Sequence, residues 1–96
     1  MTARTLVPVV SPREGAARIG EQFGKVVRDL RDKRGWSQEQ LAARAELNRS
    51  YMGEIERACV MPSLATAAKL ALALEVPLSR LIHWCEEPGP RQKNSQ

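Results

Sequence analysis

The chain has 96 residues, four aromatic side chains and a formal net charge of +4. These residues give room for one domain, and two large separate cores are not expected within them. The apolar residues are mostly Leu, Ala and Val, and a strand-rich domain would need more aromatic and β-branched residues, so the composition favours helices. The mildly basic balance suits nucleic acid or an anionic surface without demanding either.

The sequence predicts a cytoplasmic protein. The apolar stretch LVPVV is too short for a signal-peptide core and is interrupted by Pro8. No apolar run approaches the length of a membrane span. The two cysteines, Cys59 and Cys85, are therefore expected to be reduced thiols, although a disulfide between them is an alternative.

Hydrophobic periodicity and capping residues predict an all-α fold of five helices. Ser37, Asn48 and Ser63 are suited to cap the second, third and fourth helices, and Gln40 completes a capping box with Ser37. The predicted spans are about 19–34, 37–45, 48–58, 63–74 and 78–86. Residues 1–18 are expected to be a flexible N-terminal arm, 19–87 the domain, and 88–96 a disordered tail.

The third predicted helix has a narrow polar face. Met52 and Ile55 define its inward side at a rotation of about 100° per residue. The outward side then holds Ser50, Gly53, Glu54 and Arg57, with Arg49 and Tyr51 at its edges. A slim polar face of this kind can enter a DNA major groove, and an ordinary solvated helix face is the alternative.

Gly53 bears on whether this face enters a DNA groove or is an ordinary solvated face, because glycine inside a helix costs up to about 1 kcal/mol relative to alanine. It is expected where another backbone comes close, either a groove wall or a neighbouring helix. The preceding helix begins with free backbone N–H groups beside Gln38. Such helix ends bind phosphate well, so Gln38 is a candidate phosphate contact.

These features together resemble the phage-repressor (Cro/CI, or XRE) helix-turn-helix family, particularly small members such as restriction–modification controller proteins. The family pattern appears in order as Ser37-Gln38, Leu41-Ala42, Ile55-Glu56-Arg57, Pro62-Ser63 and residues 71–74. The resemblance covers residues 19 to about 84. It implies a repressor-like all-α domain that binds double-stranded DNA and regulates transcription, as a repressor, an activator or both.

The resemblance also implies roles for individual residues. Base reading falls to Arg49, Ser50, Gly53 and Glu54, and phosphate contacts fall to Ser37, Gln38, Tyr51 and Arg57. Glu56 would form a structural ion pair with Arg31, with Arg28 as the alternative partner. The chain departs from the family at Glu46 and Ala58, where glycine is usual, so these turns are either strained or altered.

A homodimer on a palindromic operator is expected, because the last helix of such domains often forms a two-fold interface. The expected interface residues are Leu78, Leu81, Ile82 and Trp84, with completion of the domain's own core as the alternative role of these side chains. In such a dimer the two recognition helices would be about 34 Å apart. The N-terminal Arg4 and Arg13 could also reach a minor groove. A protein-interaction module, such as an antitoxin or a transcription adaptor, is the alternative function.

The sequence gives no indication of an enzyme, a cofactor or a small-molecule ligand. It contains no Gly-rich phosphate loop, nucleophile elbow or paired-carboxylate arrangement. The cluster His83, Cys85, Glu86 and Glu87 lacks a second ligand pair, so no metal site is expected.

Overall fold

Within residues 10–87, capping side chains begin four of the five helices. The computed structural model describes residues 10–87, and within them it contains helices and no strand, which confirms the all-α prediction. The helices are α1 (Pro12–Arg34), α2 (Gln38–Arg44), α3 (Arg49–Glu56), α4 (Leu64–Leu74) and α5 (Leu78–Glu86). The predicted tail and the first half of the predicted arm, including Arg4, lie outside the described residues.

The first helix begins earlier than the sequence interpretation placed it. Ser11 and Glu14 form a capping box, in which each side chain accepts a hydrogen bond from the other residue's backbone N–H at 3.1 Å. Pro12 occupies the first turn, where its missing N–H has no consequence. The predicted start of the first helix at about residue 19 was therefore wrong, and Arg13 lies in α1.

Helices α1 to α4 all end at a residue with left-handed backbone conformation. These residues are Gly35 (φ 72°), Glu46 (φ 57°), Ala58 (φ 61°) and Glu75 (φ 62°). At each one, the next N–H reaches back to a carbonyl five residues earlier, as in Cys59 N–H to the Glu54 oxygen at 2.8 Å. This is the Schellman arrangement, which normally uses glycine. Glu46 and Ala58 therefore adopt this left-handed conformation although each carries a side chain.

The core lies where the five helices meet. Eight of its side chains are essentially inaccessible to solvent: Val26, Val27, Leu41, Met52, Ile55, Leu70, Leu74 and Leu81. Helix α1 packs against α3, α4 and α5, and α2 packs against α3 and α4. The short α2 and α3 are thus supported from behind by the long α1 and by α4.

Helices α1 and α3 approach each other closely at Gly24. A methyl group added to Gly24 would lie 2.6 Å from the carbonyl oxygen of Ile55 and 2.8 Å from that of Glu56. Both atoms belong to the backbone at the end of α3, which cannot rotate away as a side chain can. The missing side chain therefore sets how closely α3 approaches α1.

We predict that Gly24→Ala lowers the free energy of unfolding by about 1–3 kcal/mol, because the added methyl must push α3 away from α1. Gly15→Ala is the matched control, since its methyl would meet only Val10 Cγ2 at an ordinary 3.5 Å. That variant should gain up to about 1 kcal/mol from helix propensity. Urea unfolding measures the free energy of unfolding of both variants. Equal changes in the two would contradict a close approach of α3 to Gly24.

We predict that Ala58→Gly raises the free energy of unfolding by about 1 kcal/mol, because glycine adopts the left-handed conformation without steric penalty. Ala43→Gly is the control, since Ala43 is an exposed residue within α2. Its replacement should lower stability by up to about 1 kcal/mol. A destabilising Ala58→Gly would show that residue 58 does not have positive φ.

Candidate nucleic-acid interface

The first turn of α3 presents polar side chains to solvent. Asn48 caps the helix, because its side-chain oxygen accepts the N–H groups of Ser50 at 2.8 Å and Tyr51 at 3.2 Å. Arg49 and Ser50 are exposed, whereas Tyr51 is half-buried and packs against the core. This turn is thus rigid in its backbone and open on its outer side.

The remainder of α3 differs from the expected face at one position. Glu54 is half-buried and Arg57 is exposed, so both are accessible. Gly53 is buried, because the Arg57 guanidinium and the Gln38 side chain cover it. A methyl at Gly53 would lie 3.1 Å from Arg57 Nη1 and 3.5 Å from Gln38 Oε1. The expectation that Gly53 lies on the open face was therefore wrong. Gly53 lies beneath side chains of the same chain.

A bidentate ion pair attaches the end of α3 to α1. Arg31 Nε donates to Glu56 Oε2 at 2.7 Å, and Arg31 Nη2 donates to Glu56 Oε1 at 2.9 Å. The side chains of Glu56 and Arg31 are 3% and 12% exposed. These are the residues that the family resemblance paired. The hydrogen bond to Glu56 raises the pKa of Arg31, because it favours the charged guanidinium.

Arg31 of this ion pair also bonds to the turn between α1 and α2. Arg31 Nη1 donates to the carbonyl oxygen of Trp36 at 2.8 Å. Two guanidinium groups contact the Trp36 ring, with Arg44 at 4.1 Å and Arg34 at 5.3 Å from its centroid. Cation–π contacts of this kind orient the ring. We did not predict this stack from the sequence, where only the proximity of Trp36 to Arg34 hinted at it.

The start of α2 is also oriented by hydrogen bonds within the protein. Ser37 and Gln40 form the predicted capping box, with distances of 2.8 and 3.1 Å. Gln38 Nε2 donates to Glu56 Oε1 at 2.9 Å. The amide predicted to bind phosphate is thus bonded to the carboxylate that closes α3.

The residues predicted to form a dimer interface separate into two groups. Leu81 is 0% exposed and belongs to the core of the domain, so its assignment to the interface was wrong. Leu78, Ile82 and Trp84 are half-buried. Sequence reasoning missed the most exposed apolar side chains, which are Leu64 at 72%, Leu72 at 78% and Met61 at 53%.

Other possible sites have simple local explanations. Cys59 is exposed, Cys85 is buried, and no disulfide joins them. Within residues 10–87, no three His, Cys, Asp or Glu side chains are grouped as metal ligands would be. His83 instead contacts Glu87 at 3.4 Å. None of the described helices has the length and apolar character needed to traverse a bilayer.

The order and packing of α2 and α3 define a helix-turn-helix: two short helices joined by a tight turn, with the second exposing its first turn. The chain belongs to the helix-turn-helix family designated HTH_3, which matches residues 27–81, more than half of the chain. This confirms the resemblance to phage-repressor and controller-type regulators.

Two curated relatives support this membership. The HTH-type transcriptional regulator SutR of Escherichia coli is 39% identical over 58% of this chain and 32% of its own length. The immunity repressor protein of Bacillus phage phi105 is 39% identical over 62% of this chain and 41% of its own length. The chain thus spans about a third to two fifths of these relatives.

Two solved structures match over nearly their whole length. The restriction–modification controller protein C.AhdI from Aeromonas hydrophila is 43% identical, with a TM-score of 0.62 over 64% of this chain and 92% of that one. The hypothetical transcription factor NHTF from Neisseria is 30% identical, with a TM-score of 0.66 over 95% of this chain and 97% of that one.

We predict that Glu56→Ala lowers the free energy of unfolding by about 3 kcal/mol, because it leaves the Arg31 guanidinium without its partner in a site that excludes water. Glu75→Ala is the control: it removes an exposed ion pair with Arg34 at 3.2 Å and also leaves a non-glycine residue at positive φ. Exposed pairs contribute about 0–1 kcal/mol. If urea unfolding gave similar losses of unfolding free energy for Glu56→Ala and Glu75→Ala, a special role for Glu56 would be contradicted.

Proposed function

We propose that this protein is a transcriptional regulator that binds double-stranded DNA in a sequence-specific manner, with α3 in the major groove. The observation that supports this most directly is the exposed first turn of α3, where Arg49 and Ser50 face solvent while Met52 and Ile55 are buried. A groove-reading helix needs this division, since its outer side must reach base edges while its inner side stays packed.

Base reading is assigned to three residues of α3. Arg49 can donate two hydrogen bonds to guanine O6 and N7, Glu54 can accept from cytosine N4, and Ser50 can bond to several bases. Arg49 and Ser50 are exposed and Glu54 is half-buried, so all three are accessible. Because Gly53 is covered, we remove it from the base-reading set.

Phosphate contacts are assigned to Ser37, Tyr51 and Arg57, which flank that surface. Arg57 extends across Gly53, so its charge lies alongside α3. Phosphate contacts of this kind position a protein on the duplex without reading sequence. They also make affinity fall with added salt.

The active form is proposed to be a homodimer on a two-fold symmetric operator. Leu78, Ile82 and Trp84 on α5 are half-buried apolar side chains that a second copy would cover. Two α3 helices related by this symmetry would lie about 34 Å apart, one turn of DNA. A cytoplasmic location, where DNA is accessible, follows from this proposal.

A second candidate function is protein binding, as in an antitoxin or a transcription adaptor. It is favoured by α4, where Leu64 and Leu72 are 72% and 78% exposed. Large exposed apolar side chains grouped on one helix suit a protein contact. This function would require no sequence preference in DNA binding.

We predict that Arg49→Ala weakens binding to the preferred duplex by about 1–3 kcal/mol and relaxes the preference at one base pair per half-site. The preferred duplex is first obtained by selecting bound sequences from a random pool. Affinities for this duplex and for single-base variants are then measured by fluorescence anisotropy.

Arg57→Ala is the matched control, because it also removes one exposed arginine, at the opposite end of α3. It should weaken binding to all duplexes alike and reduce the log–log salt slope by about 0.9. If the random pool yields no two-fold consensus, the regulator proposal fails and protein binding becomes the better interpretation. A uniform loss for Arg49→Ala would show that Arg49 touches only phosphate.

A further inference from the structure

The Glu56 carboxylate accepts three hydrogen bonds, and the third comes from α2. Two are donated by Arg31, and Gln38 Nε2 donates the other to Oε1 at 2.9 Å. Gln38 is the first residue of α2, and Glu56 is the last residue of α3. The carboxylate therefore joins α1, α2 and α3 at one point.

The Gln38 amide also lies beside Gly53. Its Oε1 atom is 3.5 Å from the position that a methyl group on Gly53 would occupy, an ordinary van der Waals distance. One end of the amide bonds to Glu56 and the other rests against Gly53. The side chain is thus oriented by α3 on both sides.

We propose that Gln38 is a positioning residue, which acts on DNA recognition by setting the tilt of α3 through Glu56 rather than mainly by binding phosphate. The inference rests on the proposed function, because it concerns the same DNA-reading surface. It replaces the phosphate role that the family resemblance implied for Gln38.

The acceptor of the Gln38 hydrogen bond, the Glu56 carboxylate, is buried. Hydrogen bonds to an ionised carboxylate are stronger than those between neutral groups. Because the Glu56 side chain is 3% exposed, water cannot easily replace a donor that turns outward to a phosphate.

The length of α3 makes small tilts important. Its eight residues are about 12 Å long, so a tilt of about 5° at Glu56 moves Arg49 by about 1 Å. That displacement is enough to disturb a bidentate contact with a base. Loss of the Gln38 bond should therefore appear as lost sequence discrimination.

The first test uses the free protein. Gln38→Glu would place a second carboxylate against Glu56, so we expect its unfolding equilibrium constant to rise at least tenfold. Gln40→Glu is the matched control, because glutamate serves equally well in the capping box, and no change is expected. If Gln38→Glu unfolds like the control, the side chain does not face Glu56 and the proposal is overturned.

The second test uses DNA. Gln38→Ala, or Gln38→Met if the alanine variant does not fold, is titrated with the selected duplex and with a scrambled one at several salt concentrations. We expect about tenfold weaker binding to the selected duplex, about twofold or less on the scrambled one, and an unchanged salt slope. Equal losses on both duplexes, with the slope reduced by about 0.9, would establish a phosphate contact instead.

The failure of the proposed function gives a different result. In that case the wild-type protein itself would not distinguish the selected duplex from the scrambled one, whatever Gln38 does. The Glu56→Gln background adds a final check, because a residue that acts through Glu56 should have little further effect once Glu56 has been changed. Undiminished loss in that background would overturn the inference.

Discussion

The ion pair between Arg31 and Glu56 joins the long first helix to the end of the third, and the geometry of the candidate DNA-reading surface depends on it. Both carboxylate oxygens are engaged, and the same guanidinium also bonds to the Trp36 carbonyl before α2. A buried ion pair of this kind adds little net stability, since removing both charges from water is costly. Its value here is orientation: the pair specifies where α3 ends relative to α1.

Backbone contacts reinforce that orientation. Gly24 lets the last turn of α3 lie against α1 at a distance that any side chain would prevent. The left-handed residues Glu46 and Ala58 then turn the chain sharply on either side of α3. The helix is therefore held at both ends while the outer side of its first turn stays open. A surface that must match the spacing of base edges benefits from this rigidity.

Much of this fold could be predicted from the sequence, because its helix starts carry explicit capping residues. Ser37, Asn48 and Ser63 each cap the helix that was expected. The same signal was overlooked at Ser11 and Glu14, whose spacing is identical to that of a capping box, so α1 was begun too late. Residues 12–18 are mostly exposed, so apolar periodicity does not mark this end of α1, whereas the capping box does.

The candidate site was harder to predict, because helical angles say which way a side chain leaves a helix and not what covers it. Ser50 was expected to be exposed and is exposed, whereas Gly53 is covered by Arg57 and by Gln38 of the neighbouring helix. Leu81 was assigned to a surface because its stripe was apolar, but α1 and α4 enclose that side of α5. For Gly53 and for Leu81, contacts with residues distant in the sequence determine whether the residue is exposed.

The proposal that α3 reads DNA can be tested most directly by NMR. Backbone amide shifts of the full chain would be followed as the selected duplex is added. The account predicts that the largest changes fall on residues 48–51, 54 and 57, with smaller changes on α4. Changes confined to α4 around Leu64 and Leu72, with α3 unaffected, would contradict it.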